Sequence, residues 1–413
     1  MVPKLFKILR NTTIFYTNVA AVKIYMEMEQ IVEEFVEPMD YYFRDDFDDN
    51  FTLCDTEYKN FDNLDTRKRV NIIFLCTDLT DRGKCKHIVD AALALKACGH
   101  KITIVTCAYL DNVYNQDLSE IKFILYKFDM AQQHRPASDV RFLNTWFLKS
   151  SLQNADEILV PNKIFSGIYQ RFCSPEKPHL MVCQPHIDVR QLKSEKLITM
   201  QEILENIREA SYIYLVLGEY HKTSNFELII EAFHMLLLNL HHNVHNKLHL
   251  VISGHCSRSN RHHAQYYRYL QRKVHDHRLL DRVTFSRRLD KCHKKTLMTN
   301  AIAILDPAVD VLFNRYLLEA MALRRPIIAT DTGFAEEVLV HGTSAYLVPP
   351  TAEHFSAAMA DILVNKQNGE FIANLAYREF QKTYSFEAYG KRLNDLVYKY
   401  CDKRKNTKIL SRT

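Results

Sequence analysis

The chain has 413 residues, 47% of them apolar and 25% charged, the ordinary globular range, with material for two or three domains and at least two buried cores. The formal net charge of +5 is too small to argue for nucleic-acid binding. So mild a surplus suits a phosphate-bearing ligand or an anionic membrane face equally.

Residues 1–66 read as an appendage. Basic residues come first (Lys4, Lys7, Arg10) and acidic ones follow. Residues 1–37 are expected to form an amphipathic helix lying on a membrane or on the body of the protein. Residues 37–65 are dense in Asp, Glu and Asn and are expected to be largely disordered.

The first firm strand is the apolar run 70–76, followed by a loop over 77–84 and a helix over 85–97 that Gly99 ends. Strands follow at 102–107 and 121–125. Strand, helix and strand of these lengths make a βαβ unit and imply a parallel sheet. A helix over 140–151, a strand over 157–160, a helix over 163–172 and a strand over 180–183 complete this half.

A charged connector leads to the second half. Strands are expected at 212–217, 248–253, 283–285, 303–305, 326–330 and 345–348, with helices at 225–240, 266–275, 291–301, 317–323, 335–339 and 354–363 between and after them. A basic, histidine-rich loop is expected over 255–263, and its spacing (His255, His262, His263) fits no zinc pattern. The Tyr266, Tyr267 and Tyr269 cluster reads as helix-face packing. Residues 369–400 read as a helical tail. Two doubly wound domains in tandem are therefore expected, with a ligand crevice at the carboxyl ends of their strands. The expected boundaries are 1–66 for the appendage, 67–190 for an N-terminal domain, 191–210 for the connector, 211–368 for a C-terminal domain and 369–413 for the tail.

Three absences are also informative. No run of about 20 apolar residues predicts a spanning helix. The 10 cysteines form no Cys-x-x-Cys pair and read as reduced thiols in a cytosolic setting. Only 9 residues are glycine, against an average usage of about 7%, although phosphate-binding loops need glycine for close backbone approach.

Several stretches then make a family visible. The helix 89–99, the strand 281–285, the run Leu317-Leu318-Glu319-Ala320-Met321, the strand 325–329, the pair Thr332-Gly333 and the segment 353–359 resemble the dolichol-pathway α-1,3/1,6-mannosyltransferases. The resemblance covers roughly residues 69–130 and 155–400. It implies a GT-B fold, two Rossmann-like domains facing a cleft, and membership of the family-4 retaining glycosyltransferases. It further implies transfer of mannose from GDP-mannose to a lipid-linked oligosaccharide at the cytosolic face of the endoplasmic reticulum, with no cofactor and no metal. The partners it implies are the nucleotide sugar, the lipid-linked acceptor and a peripheral membrane contact, and no nucleic acid.

Leaving-group departure in this chemistry builds charge on two phosphates, which an Arg–Lys pair stabilises, while the second glutamate of an E-x7-E pair accepts hydrogen bonds from ribose hydroxyls. That second glutamate is Glu319. Asn225, Lys222, Gly254 and Gly333 complete the expected donor-binding set, and Asp78 and Gly83 the expected cleft loop. No catalytic residue is assigned. The first glutamate of the pair falls at Val311. The arginine aligns with Glu219, the lysine with Ser224, and a glycine with Asn314. A carboxylate at 219 would repel a diphosphate by a few kcal/mol at intermediate dielectric, roughly. The family also carries roughly 60 more residues, about two βαβ units, between Lys127 and Val140, so the N-terminal domain is expected to be incomplete. These departures suggest a second reading, a catalytically inactive relative that acts by binding, for example to a glycosyltransferase partner.

Overall fold

The computed structural model describes residues 13–15, 69–75, 82–106, 121–125, 157–170, 179–187, 196–203, 212–255, 261–287, 291–309, 311 and 313–410. The chain divides into two compact units, Met1–Pro185 with Phe386–Thr413, and His186–Ser385.

In the first unit, strands β1 (Thr13–Phe15), β2 (Asn71–Leu75), β3 (Lys101–Thr106) and β4 (Lys122–Leu125) form a parallel sheet in that order. Period-two burial of Ile72 and Phe74 on β2 and of Ile102 and Ile104 on β3 sets one face of the sheet. Helix α1 (Arg82–Ala97) contributes Ile88, Ala91, Ala92 and Leu95 to the same core. A separate parallel pair joins β5 (Glu157–Val160) to β6 (His179–Val182), with α2 (Lys163–Gln170) between them.

Two features of this unit differ from expectation. Strand β1 extends the sheet within a stretch expected to be helical; the rest of 1–66 lies outside the described residues. Helix α1 starts at Arg82 rather than 85, so Gly83 sits in a first helical turn and not in a phosphate loop. The expected helix 140–151 and the shortened segment before it lie outside the described residues.

The second unit holds α3 (Met200–Ile203), β7 (Tyr212–Glu219), α4 (Phe226–Asn239), α5 (His242–His245), β8 (Leu248–His255), α6 (Arg261–Asp276), β9 (Val283–Ser286), α7 (Lys291–Asn300), β10 (Ala301–Asp306), α8 (Arg315–Ala322), β11 (Ile327–Thr330), α9 (Gly333–Val338), β12 (Tyr346–Val348), α10 (Ala352–Val364) and α11 (Lys366–Thr383). All six strands are parallel, in the spatial order β9-β8-β7-β10-β11-β12. The order reverses between β7 and β10, and a doubly wound sheet takes its ligand outside the carboxyl ends of such a pair.

Strand β7 shows why the sheet is buried on both faces. Tyr214 and Val216 pack with α4, α6 and α10, while Ile213, Leu215 and Leu217 pack with α7, α8 and α9. Alternation of side chains across a strand flanked by helices gives this near-continuous apolar run. The Tyr214 hydroxyl donates to the Met359 carbonyl at 2.7 Å, which satisfies it in the core.

Helix α6 begins at Arg261, so both ends of the expected histidine-rich loop belong to regular elements, while residues 256–260 lie outside the described residues. His255 ends β8, and His263 is buried in the first turn of α6. His263, Tyr266, Leu270 and Val274 form one buried stripe at helical spacing, which carries the helix back through 263. The tail expected over 369–413 is shared between the units. Helix α11 ends at Thr383, and α12 (Phe386–Leu410) belongs to the first unit, where Phe386, Leu393 and Val397 join its core. There His100 ties the chain together: its Nδ1 accepts from the Val70 amide at 3.3 Å and its Nε2 meets Asn394 Oδ1 at 2.7 Å.

Candidate functional site

Two loops meet at the switch point of the second unit. After β7, His221 caps a 3-10 turn (Lys222–Ser224), its Nδ1 accepting from the Thr223 amide at 3.3 Å. Asn225 follows with φ 49°, a left-handed conformation that Asn tolerates better than most residues. Its Nδ2 donates to the Pro307 carbonyl at 3.3 Å, and the Val309 amide donates to the Thr223 carbonyl at 3.4 Å. The loops after β7 and β10 are thus pinned to each other.

Asp306 ends β10 and is 7% exposed. Its Oδ1 accepts from the Ala308 amide at 3.4 Å and its Oδ2 from Asn314 Nδ2 at 2.9 Å. Burial pushes this carboxyl up to about 6, against the opposing pull of the Asn314 and Ala308 bonds. Asn314 also caps α8, its Oδ1 accepting from the Tyr316 amide at 3.0 Å. Asn at this helix start therefore holds both the strand end and the helix.

Glu319 lies one turn into α8 and is 1% exposed. Lys294 Nζ of α7 donates to its Oε1 at 2.9 Å, and Arg315 Nε donates to the same oxygen at 3.0 Å. Burial works against the charge, but the Lys294 ammonium and the Arg315 guanidinium outweigh it and hold the carboxyl below its ordinary value. Oε2 is buried and meets no hydrogen-bond partner among the described residues. Lys294 also lies over the Tyr316 ring, 5.6 Å from its centroid.

The expected donor-binding residues are thus distributed as follows. Glu319 and Asn225 stand at the switch point. Lys222 is exposed on the turn after β7. Gly333 opens α9 with φ 60°, and the adjoining Phe334 amide donates to the Val311 carbonyl at 3.0 Å. At position 311 the chain thus supplies a backbone acceptor where the resemblance calls for a carboxylate. Gly254 serves packing: a Cβ there would run into the Gly218 carbonyl of the neighbouring strand. Glu219 is the last residue of β7, and Ser224 is buried. Asp78 lies outside the described residues. Among the described residues no three metal-binding side chains converge, and no helix is long and apolar enough to cross a membrane.

Sequence reasoning missed Asp306, Lys294 and Arg315. The Asp306-Pro307 pair at the end of an apolar run was a signal, because a strand's carboxyl end at a switch point faces ligand. Lys294 carried none, being 25 positions from its partner.

Comparison with known proteins places this arrangement in a class. Residues 201–379 match the family described as glycosyl transferases group 1. A glycosyltransferase structure from Rickettsia africae superposes with a TM-score of 0.59 at 14% identity, covering 81% of this chain and 99% of that one. The protein has the GT-B glycosyltransferase fold.

More narrowly, the chain resembles, as a divergent relative, the α-1,3/1,6-mannosyltransferase ALG2. It is 23% identical to that of Dictyostelium discoideum over 257 residues, which is 59% of this chain and 61% of the relative. Against the human protein the figures are 24% over 262 residues, 62% of this chain and 61% of the relative. The chain spans about three fifths of the length of these relatives.

Proposed function

We propose that the chain is a mannosyltransferase-like protein whose second unit binds GDP-mannose at the switch point between β7 and β10, and that it transfers mannose to a lipid-linked oligosaccharide at the cytosolic face of the endoplasmic reticulum. The observation that carries this reading is Glu319. It is a buried carboxylate, held ionised by Lys294 and Arg315, with an Oε2 that meets no donor among the described residues. A buried acceptor without a donor is costly, by about 1–3 kcal/mol. A ribose hydroxyl is a donor of the right kind. The helices α7 and α8 begin at the carboxyl edge of the sheet, where their amides favour an anionic ligand. Donor binding needs no cofactor in this reading.

Three positions favour a second reading, a catalytically silent relative that acts by binding, for instance to a glycosyltransferase partner. Glu219 puts a negative charge where the leaving diphosphate gains charge. Ser224 offers no cation. Val311 offers only a backbone carbonyl. Loss of several transition-state contacts at once removes most of the rate.

Calorimetric titration of the full chain with GDP and GDP-mannose, beside Glu319→Ala, separates the outcomes. Micromolar binding that the variant loses supports a working donor site, and an assay with lipid-linked acceptor then decides between transfer and silence. A folded sample that binds neither ligand at millimolar concentration removes GDP-mannose as the substrate.

A further inference from the structure

The loop after β10 is anchored at both ends by one side chain. Asp306 Oδ1 accepts from the Ala308 amide at 3.4 Å, where the loop begins. Its Oδ2 accepts from Asn314 Nδ2 at 2.9 Å, 8 positions on, where α8 starts. The two residues after Asp306 carry further ties. The Pro307 carbonyl accepts from Asn225 Nδ2 at 3.3 Å on the β7 side, and the Ala308 carbonyl accepts from the Thr330 hydroxyl at 2.5 Å at the end of β11. The start of the loop is therefore fixed against the strands on either side of β10, and Asp306 passes that fixed position on to α8.

Asn314 is the link. Its Nδ2 faces the carboxylate, and its Oδ1 accepts from the Tyr316 amide at 3.0 Å. An ionised carboxylate only accepts hydrogen bonds, so it holds the amide with the nitrogen toward itself and leaves the oxygen to cap the helix. The resemblance places a glycine at 314, and a glycine side chain can make neither bond. Glu319 stands on the same short helix, just over one turn beyond Asn314. An α-helix is stiff over so few residues, so the place and angle at which α8 starts decide where Glu319 Oε2 sits. Working sites hold their groups within about 0.5 Å.

The charge on Asp306 does not serve stability. Burial lifts its carboxyl to about 6, so its ionisation at neutral pH opposes folding. What the group supplies is geometry. We propose that Asp306 is a positioning residue of the donor site: through Asn314 it sets the start of α8, and so aims Glu319 Oε2 at the ribose of a nucleotide. The inference rests on the nucleotide-sugar reading above and adds to it the side chains that fix ribose recognition without touching the ligand.

The test is titration of the full chain with GDP and with 2′,3′-dideoxy-GDP, which lacks both ribose hydroxyls. The proteins are wild type, Asp306→Asn, Asn314→Gly, Glu319→Ala and the exchange that combines Asp306→Asn with Asn314→Asp, each checked for an intact thermal transition. The exchange restores the link with donor and acceptor reversed, an amide at 306 donating to a carboxylate at 314 that still caps α8. Wild type is expected to prefer GDP over the dideoxy ligand by about tenfold or more, and Glu319→Ala to lose that preference. Asp306→Asn and Asn314→Gly should each cut it by about threefold or more, with affinity for the dideoxy ligand within about twofold of wild type, and the exchange should bring it back to within about twofold. Asn314→Gly leaves Asp306 in place, so it remains informative if Asp306→Asn fails to fold. An unchanged preference in both of these variants overturns the proposal and leaves the nucleotide reading standing. An equal fall for both ligands, or no recovery in the exchange, also overturns it, showing that the pair only steadies the loop. A wild type that binds both ligands equally removes Glu319 from ribose recognition, and this inference with it. Failure of wild type to bind GDP overturns the nucleotide reading itself.

Discussion

The end of β10 and the start of α8 each bury a carboxylate, and they treat it in opposite ways. Asp306 is given two hydrogen bonds and, among the described residues, no cation, and burial raises it to about 6. Glu319 is given two cations on one oxygen, and its carboxyl is held below the ordinary value despite burial. The contrast shows that burial alone does not decide ionisation; the neighbours supplied by the next helix do. One loop thus offers a group that changes protonation just below neutrality, and the adjacent helix offers a fixed negative charge ringed by positive ones.

The sharpest way to break this contrast is to remove the cations. Replacing both Lys294 and Arg315 by Met should cost about 3–5 kcal/mol in urea denaturation at neutral pH, because a buried carboxylate loses its compensation. In a Glu319→Gln background the same pair of changes should cost far less. An equal cost in both backgrounds would mean that packing, not charge, is what the cations supply.

Next in size is the pH dependence on the Asp306 side. Its folded value lies above its ordinary one, so the folded state binds the extra proton, and its ionisation opposes folding. Relative to Asp306→Asn, wild type should lose stability as pH rises from about 4 to about 6, by up to about 3 kcal/mol at 1.36 kcal/mol per unit. Glu319 acts with the opposite sign. Its contribution is full above its ordinary value and fades as pH falls through the lowered one. Parallel pH–stability curves for wild type and Asp306→Asn would refute the assignment.

The smallest effect separates charge from shape at the same edge. Gly254→Ala forces a Cβ against the Gly218 carbonyl and should cost about 1–3 kcal/mol by thermal denaturation. That cost should not change between pH 4 and 7. A pH-dependent cost would tie the close approach of β7 and β8 to the titrating groups.

The strands of the second unit were legible beforehand because a parallel strand covered on both faces reads as a near-continuous apolar run, as the middles of β7, β8, β10 and β11 do, with polar residues mainly at their carboxyl ends. Helix α4 was legible from its buried stripe of Ile229, Ala232, Phe233 and Leu236. Glu319 was legible through its surrounding motif. The start of α6 was not, because His262 and His263 read as polar loop residues until the fold buries His263. The break between α11 and α12 was not either, since nothing local announces that Phe386, Leu393 and Val397 find their partners on the other unit's side of the chain's division.

Local pattern therefore accounts for the alternation of strands and helices, which depends on neighbours in the chain and on burial that each segment's own periodicity announces. The departures at Glu219, Ser224 and Val311 are legible only through the family resemblance. The fold alone accounts for the cation pair on Glu319 and for the raised carboxyl of Asp306. Lys294 and Glu319 are 25 positions apart and meet only because α7 and α8 are brought together. The protonation of a buried acid is set by what the folded chain places around it, through desolvation and nearby charge, and neither acts until the chain is folded.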